Sequence, residues 1–70
     1  MRYLIVIERT NSGFSAYSPD LPGCAATGAT RGEVERAMRQ AVERHLVGLR
    51  ASGQPVPPPS TSASYVEVAA

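Results

Sequence analysis

Few side chains in this sequence have the chemistry of a catalytic or metal-binding group. Cys24 and His45 are the single cysteine and the single histidine of the chain. A thiol nucleophile needs a neighbouring base, and a zinc ion needs several ligands of these two types. We therefore expect Cys24 to be a small buried hydrophobic residue. For His45 we expect a packed structural imidazole, with a pH-sensitive or partner-contacting role as the alternative.

The carboxylates also fail to form a recognisable catalytic set. A nuclease would need several of them converging on metal ions about 4 Å apart. Glu8 and Glu67 fall on predicted strands that we place side by side, whereas Glu35 and Glu43 alternate with arginines on a solvated helix face. The sequence therefore predicts no catalytic residue, no metal and no cofactor, so the chain is expected not to be an enzyme.

The remaining candidates are residues that could contact a partner protein. Asp20 follows a proline in a turn, where its carboxylate would bond to the backbone two residues further on, with contact to a partner as the alternative. Arg36 and Arg39 lie on the outer helix face, where interleaved glutamates keep the potential too small for strong binding of nucleic acid. We take the loop residues Asp20, Leu21 and Pro22, with Arg36 and Arg39, as candidate partner contacts.

Length and composition predict one small globular domain over residues 1–70. The chain has 43% hydrophobic residues and a net charge of +1 at pH 7, so charge alone identifies no partner. A core this small is marginal, and one cysteine cannot form a disulfide within the chain, so we expect self-association to add stability. No apolar run is long enough to cross a membrane, and we expect a cytoplasmic protein.

The first half of the chain predicts three antiparallel strands. Residues 2–8 are rich in apolar and β-branched types, as in a strand that is buried on both faces in the middle of a sheet. Residues 14–17 alternate as a second strand after a polar turn. Residues 19–23 contain two prolines and a glycine, which reverse the chain before a third strand over residues 24–28.

A helix follows the third strand. Thr30 and Glu33 have the spacing of a capping box, and Gly53 can supply a left-handed cap at the other end, before Pro55. The helix between them spans about five turns. Its apolar stripe consists of Val34, Ala37, Met38, Ala41, Val42, His45, Leu46 and Leu49.

The end of the chain predicts a fourth strand. Residues 55–59 form an extended proline-rich connector, and residues 65–69 alternate as a strand with Val66 and Val68 on one side. A right-handed crossover places this strand parallel to the first, in the order 3-2-1-4. The result is an α+β fold with one helix on one face. Another copy of the chain is expected to cover the second face, which makes a dimer or tetramer.

These segments together resemble the N-terminal domain of the HicB-like antitoxins. The resemblance covers almost the whole chain. It rests on Gly13-Phe14, Pro19-Asp20-Leu21-Pro22-Gly23-Cys24, Gly28-Ala29-Thr30 with Glu33, His45-Leu46, Leu49, Gly53, Pro55-Val56-Pro57 and Pro59-Ser60. It implies a degraded ribonuclease-H-like fold of β-β-β-α-β order, the same order that periodicity predicts. At Gly32 and Val34 the chain departs from the family's acidic and alanine-rich helix start.

The resemblance also implies a function in binding. HicB-like proteins neutralise a small HicA-like toxin that cleaves messenger RNA, and we expect this chain to do so by occlusion. Full-length members carry a C-terminal DNA-binding segment, whereas this sequence ends at Ala70, so no direct DNA binding is expected from it alone. The alternative is an orphan oligomeric domain with no toxin partner, which binds a small ligand or nucleic acid weakly.

Overall fold

Three short antiparallel strands form the sheet of this protein in a computed structural model that describes residues 1–69. Strand β1 is Val6–Arg9, β2 is Phe14–Tyr17 and β3 is Ala25–Gly28, in the spatial order β1-β2-β3. A four-residue turn joins β1 to β2, and the amide of Thr10 donates to the carbonyl of Gly13 across it at 2.9 Å. The predicted three-stranded antiparallel meander is thus confirmed.

The register of the sheet separates two rows of side chains. Ile7 pairs with Ala16, and Ala16 pairs with Ala26, and this row packs against the core under the helix. The neighbouring row, with Val6 opposite Tyr17, points to the other face because side chains alternate along a strand. Tyr17 is exposed there, so the single helix covers one face of the sheet only.

Helix α1 spans Arg31–Ala51 and is capped at both ends. At its start, the side-chain oxygen of Thr30 accepts from the amide of Glu33 at 3.1 Å, and the carboxylate of Glu33 accepts from the amide of Ala29 at 3.0 Å. At its end, Gly53 has a φ of 70° and Gln54 donates to the carbonyl of Leu49. The predicted capping box and glycine cap are confirmed, although Glu33 reaches one residue further back than Thr30.

The core lies between α1 and the sheet and is small. Helix α1 packs mainly on β3 and less on β2, and the close contact with β3 occurs at Gly28. A Cβ atom at Gly28 would lie 2.6 Å from the backbone nitrogen of Val34, so only glycine fits at this crossing. The buried apolar residues are Ala16, Leu21, Cys24, Val34 and Met38.

The first strand differs from its prediction. We predicted residues 2–8 as a strand in the middle of the sheet, whereas β1 is Val6–Arg9 and is an edge strand among the described residues. Residues 3–7 are all half-buried, as their apolar pattern predicts. They are less buried than a central strand would be because no described segment pairs with the outer edge of β1.

The fourth strand is not confirmed. Residues 65–69 have no strand pairing in the structure, and the order 3-2-1-4 is therefore realised only as 3-2-1. A strand exists only where a ladder of backbone hydrogen bonds supports it, and in this structure residues 65–69 extend into solvent. Tyr65 is 102% exposed and Val66 is 82% exposed. The parallel crossover that the ribonuclease-H-like fold implies is likewise not confirmed.

Candidate functional site

The carboxylate of Asp20 binds the C-terminal part of the chain. Its Oδ2 atom accepts hydrogen bonds from the backbone amides of Ser60 and Thr61, each at 3.1 Å. Its Oδ1 atom accepts from the Ser60 hydroxyl at 3.1 Å and from the Thr61 hydroxyl at 2.7 Å. Hydrogen bonds from Thr61, followed by those from Ser60, lower the pKa of Asp20 below its ordinary value.

The carboxylate oxygens of Asp20 are therefore hydrogen-bonded within the chain. We predicted a bond to the backbone two residues further on, or contact with a partner. The described bonds instead join Asp20 to residues some 40 positions away. We call this contact of Asp20 with Ser60 and Thr61 the Asp20 clasp.

Leu21 and Pro22 face opposite environments. Leu21 has no exposed surface and belongs to the core cluster that contains Val34 and Met38. The loop is closed by hydrogen bonds in which the amides of Leu21 and Cys24 donate to the carbonyls of Ser18 and Leu21, respectively. Pro22 is exposed at the tip of the loop. Of these two predicted contact residues, only Pro22 is available to a partner in this conformation.

Arg36 and Arg39 lie exposed on α1, as predicted. The guanidinium of Arg39 is 3.4 Å from the carboxylate of Glu43, and the Arg39 side chain is 85% exposed. A long, solvated pair of this kind adds little stability and leaves the arginine free to exchange partners. The structure describes no ion pair for Arg36 within residues 1–69.

An apolar groove beside Arg39 was not predicted from the sequence. The groove has a volume of about 370 Å³ and runs between residues 1–5 and α1. Glu35, Arg39 and Glu43 form its charged rim. Its apolar floor is lined by Tyr3, Ile5, Met38, Val42 and Leu46. We refer to it as the β1–α1 groove.

The sequence contained part of the information needed to find this groove. Met38, Val42 and Leu46 belong to the predicted apolar stripe, and Tyr3 and Ile5 belong to the run that we interpreted as buried on both faces. The interpretation assumed that a fourth strand of the same chain would fill the space beside the first strand. Because residues 65–69 extend away instead, the space is open.

The cysteine and the histidine of the chain lie on different parts of the fold, directly before β3 and on α1. Cys24 is buried, and burial raises the pKa of its thiol above the ordinary value, which disfavours the reactive thiolate. His45 is half-buried on α1. Residues 1–69 contain no group of three or more His, Cys, Asp or Glu side chains that could hold a metal ion.

No helix within the described residues is long and apolar enough to cross a membrane.

The predicted contact residues do not form one continuous site. Leu21 lies in the core, Asp20 binds Ser60 and Thr61, and Arg39 borders the β1–α1 groove.

Comparison with known proteins identifies the family to which these features correspond. A family model described as the HicB_like antitoxin of bacterial toxin-antitoxin systems matches residues 3–69. An uncharacterized 14.9 kDa protein from the rep-hol intergenic region of Haemophilus phage HP1 (strain HP1c1) is 30% identical over 66 residues. The match covers 94% of this chain and 50% of the phage protein, so the chain spans half the length of that relative.

A solved structure extends the comparison to the fold. A chain of the HicA3 and HicB3 toxin-antitoxin complex superposes with a TM-score of 0.73 at 35% sequence identity. The match covers 84% of this chain and 70% of that chain. The three antiparallel strands and the helix are thus an arrangement shared with a component of a toxin–antitoxin complex.

Proposed function

The chain belongs to the HicB-like antitoxin family of bacterial toxin–antitoxin systems, and from this premise we propose that it binds and neutralises a small HicA-like toxin. The observation that carries the proposal is the likeness to a chain of a HicA3–HicB3 complex, at 35% identity over most of this sequence. The mechanism would be occlusion, in which the antitoxin covers the surface with which the toxin binds RNA. We infer that this role is non-enzymatic and that the chain performs it in the cytoplasm, where the toxin would cleave messenger RNA.

The accessible candidates for toxin contact are Pro22, Arg36 and Arg39. All three are exposed, whereas Leu21 lies in the core and Asp20 is bonded to Ser60 and Thr61. An exposed arginine can form a bidentate pair with a carboxylate of a partner, and arginine is enriched at the centres of interfaces. Leu21 and Asp20 would then support the interface indirectly, by holding the loop and the segment after Pro59 in place.

The test is rescue from toxicity combined with direct binding. A HicA-like toxin encoded beside this chain would be expressed in bacteria with and without it, and the affinity of the purified pair measured by calorimetry. We expect restored growth and an equimolar complex. Growth arrest that the chain does not relieve, together with no heat of binding, would reject the proposal and favour an orphan domain.

Charge reversals on α1 locate the contact. Arg36→Glu and Arg39→Glu should each weaken toxin binding by roughly tenfold or more, the effect of losing one charged contact at an interface. Arg44→Glu is the matched control, since it makes the same charge change at an exposed position of the same helix. Equal effects of all three substitutions would mean that only net charge matters and that the predicted contact is wrong.

We propose further that the ribonuclease-H-like fold is completed by a fourth strand and that the chain forms a homo-oligomer. Residues 65–69 alternate apolar and polar side chains, and the outer edge of β1 has no partner among the described residues. An unpaired edge next to an apolar groove is the position that a further strand would occupy. The family's β-β-β-α-β order supports the same arrangement.

A further inference from the structure

The C-terminal arm, defined as residues 64–69, presents apolar side chains to solvent in a pattern that a strand would bury. Tyr65 is 102% exposed, Val66 is 82% exposed and Val68 is 75% exposed. Val66 and Val68 are two positions apart, so in an extended strand they point to the same side. Apolar side chains that lie together in solvent are typical of a surface that binds another protein surface.

The β1–α1 groove is an apolar site that could accommodate the valines of such an arm. It lies between α1 and residues 1–5, which lead into β1, and its floor of Tyr3, Ile5 and Leu46 is apolar. A strand added along the free edge of β1 and of the residues that precede it would direct alternate side chains towards α1, over the groove that Tyr3 and Ile5 line. Two valines spaced as Val66 and Val68 are would fill it, while Tyr65 and Glu67 would lie on the opposite face.

The chain's own arm does not take this position in the structure. Residues 61–63 lie near residues 2–5, and the two segments together line a second cleft. The Asp20 clasp holds Ser60 and Thr61 at this point, and the hydroxyl of Tyr3 donates to the carbonyl of Pro57. The arm thus starts close to the edge of β1 and then leaves it for solvent.

We propose that the arm of each chain adds as a fourth strand to β1 of a second copy and inserts Val66 and Val68 into that copy's β1–α1 groove. The exchange is reciprocal, so in a dimer with a two-fold axis each arm fills the groove of the other copy. No free arm or groove then remains to bind a third copy. It extends the proposed fourth strand and does not depend on toxin binding.

The area involved is sufficient for a stable dimer. A six-residue strand that is covered on one face and along one edge would bury about 400 Å² of its own surface, backbone included, and a similar area of its partner, or about 1,600 Å² for two arms, the size of a standard stable interface. Reach is also adequate, because six extended residues span about 20 Å. The backbone hydrogen bonds gained along β1 would add to this burial, as in other cases of strand addition.

Mass measurement is the first test. Multi-angle light scattering after gel filtration should give twice the chain mass for the full chain and a single chain mass after truncation behind Ser64. The double variant Val66→Ser, Val68→Ser should weaken the dimer by roughly a hundredfold or more. Val47→Ser is the matched control, because Val47 is also an exposed valine, at 62%, but lies on α1. An unaltered dimer after truncation would overturn the proposal.

Disulfide trapping distinguishes exchange from folding back. In a Cys24→Ala background, one tagged copy would carry Val66→Cys and a differently tagged copy Ile5→Cys, because Ile5 lines the groove, with Val47→Cys in place of Val66→Cys as the control. We expect an oxidised cross-link between the two tags and none in the control. In a chain carrying both cysteines, a cross-link formed only within single chains would reject the exchange while leaving the fourth strand intact. Toxin binding has its own readout, so failure of either proposal is recognised separately.

Discussion

Asp20 joins the loop between β2 and β3 to the segment that follows the proline-rich connector. It accepts four hydrogen bonds from Ser60 and Thr61, and these bonds lower the pKa of its carboxyl. The sequence predicts a turn at this position because proline and glycine surround it. It cannot predict the partner, since serine and threonine some 40 positions away become neighbours only after α1 and its connector have formed.

Replacing Asp20 should release the segment that follows the connector. Asp20→Asn keeps the size of the side chain but removes its charge and one of its two acceptor atoms. We expect faster hydrogen exchange at the amides of Ser60 and Thr61 and faster proteolysis after Pro59. Glu43→Gln is the control, because among the described residues the carboxylate of Glu43 is paired with the exposed Arg39 and has no hydrogen bond to Ser60 or Thr61. Unchanged exchange in Asp20→Asn would show that the clasp is absent in solution.

The Asp20 clasp should also depend on pH. A carboxyl whose pKa is lower in the folded chain stabilises that state above the ordinary value of 3.8, and this stabilisation disappears as the pH falls through the folded pKa. The same exchange measurement, repeated across acid pH, should show protection of both amides at neutral pH and its loss in strong acid. The Asp20→Asn variant should show no such transition.

Cys24 should be unreactive in the folded protein. Its thiol is buried and its pKa is raised, so thiolate is scarce and reagents cannot reach it. Alkylation by iodoacetamide should be roughly a hundredfold or more slower in the native chain than in urea. A Val47→Cys variant made in a Cys24→Ala background should react at once, because position 47 is exposed. Because a raised pKa favours the neutral thiol, folding stability should decrease as the pH rises above 9.0.

Among the elements, the helix is the one whose ends are best predicted. Thr30, Glu33 and Gly53 act through neighbours in the sequence, so their hydrogen bonds can be anticipated from spacing alone. The limits of β1 depend on which strands pair with it, and pairing is a property of the whole sheet. This is why residues 2–5 were predicted as strand but lie outside the observed ladder.

The crossing of α1 over β3 gives a prediction about two glycines. Gly28→Ala would place a Cβ atom 2.6 Å from the Val34 nitrogen and should destabilise the fold by about 1–3 kcal/mol, as overpacking does. Gly48→Ala makes the same change in α1, where nothing lies within 4 Å, and should stabilise it by about 0.5–1 kcal/mol. Thermal unfolding followed by circular dichroism should shift in opposite directions for the two variants. A similar shift in both would refute the close packing at Gly28.

For the whole molecule, the sequence predicted the number of faces to be covered but not how they are covered. One helix and a first strand that is apolar on both faces require a second covering surface, and the structure leaves the outer row with Tyr17 exposed. The position of residues 65–69 could not be derived in the same way. A short alternating segment is compatible with pairing in its own chain or in another, and periodicity is identical in both cases.

Self-association should therefore appear in the unfolding of the whole molecule. The buried apolar core of the described residues consists of Ala16, Leu21, Cys24, Val34 and Met38, which is little for a chain of 70 residues. If a second copy supplies the missing burial, mass action requires the unfolding temperature to rise with protein concentration. Scanning calorimetry over a roughly hundredfold concentration range should show a rise of several degrees. A chain truncated behind Ser64 should unfold at a lower temperature that does not change with concentration, whereas Gly48→Ala should raise the temperature throughout and keep the dependence. If the unfolding temperature of the full chain is constant over that range, the small core stabilises the fold without a second copy, and the exposed arm does not serve self-association.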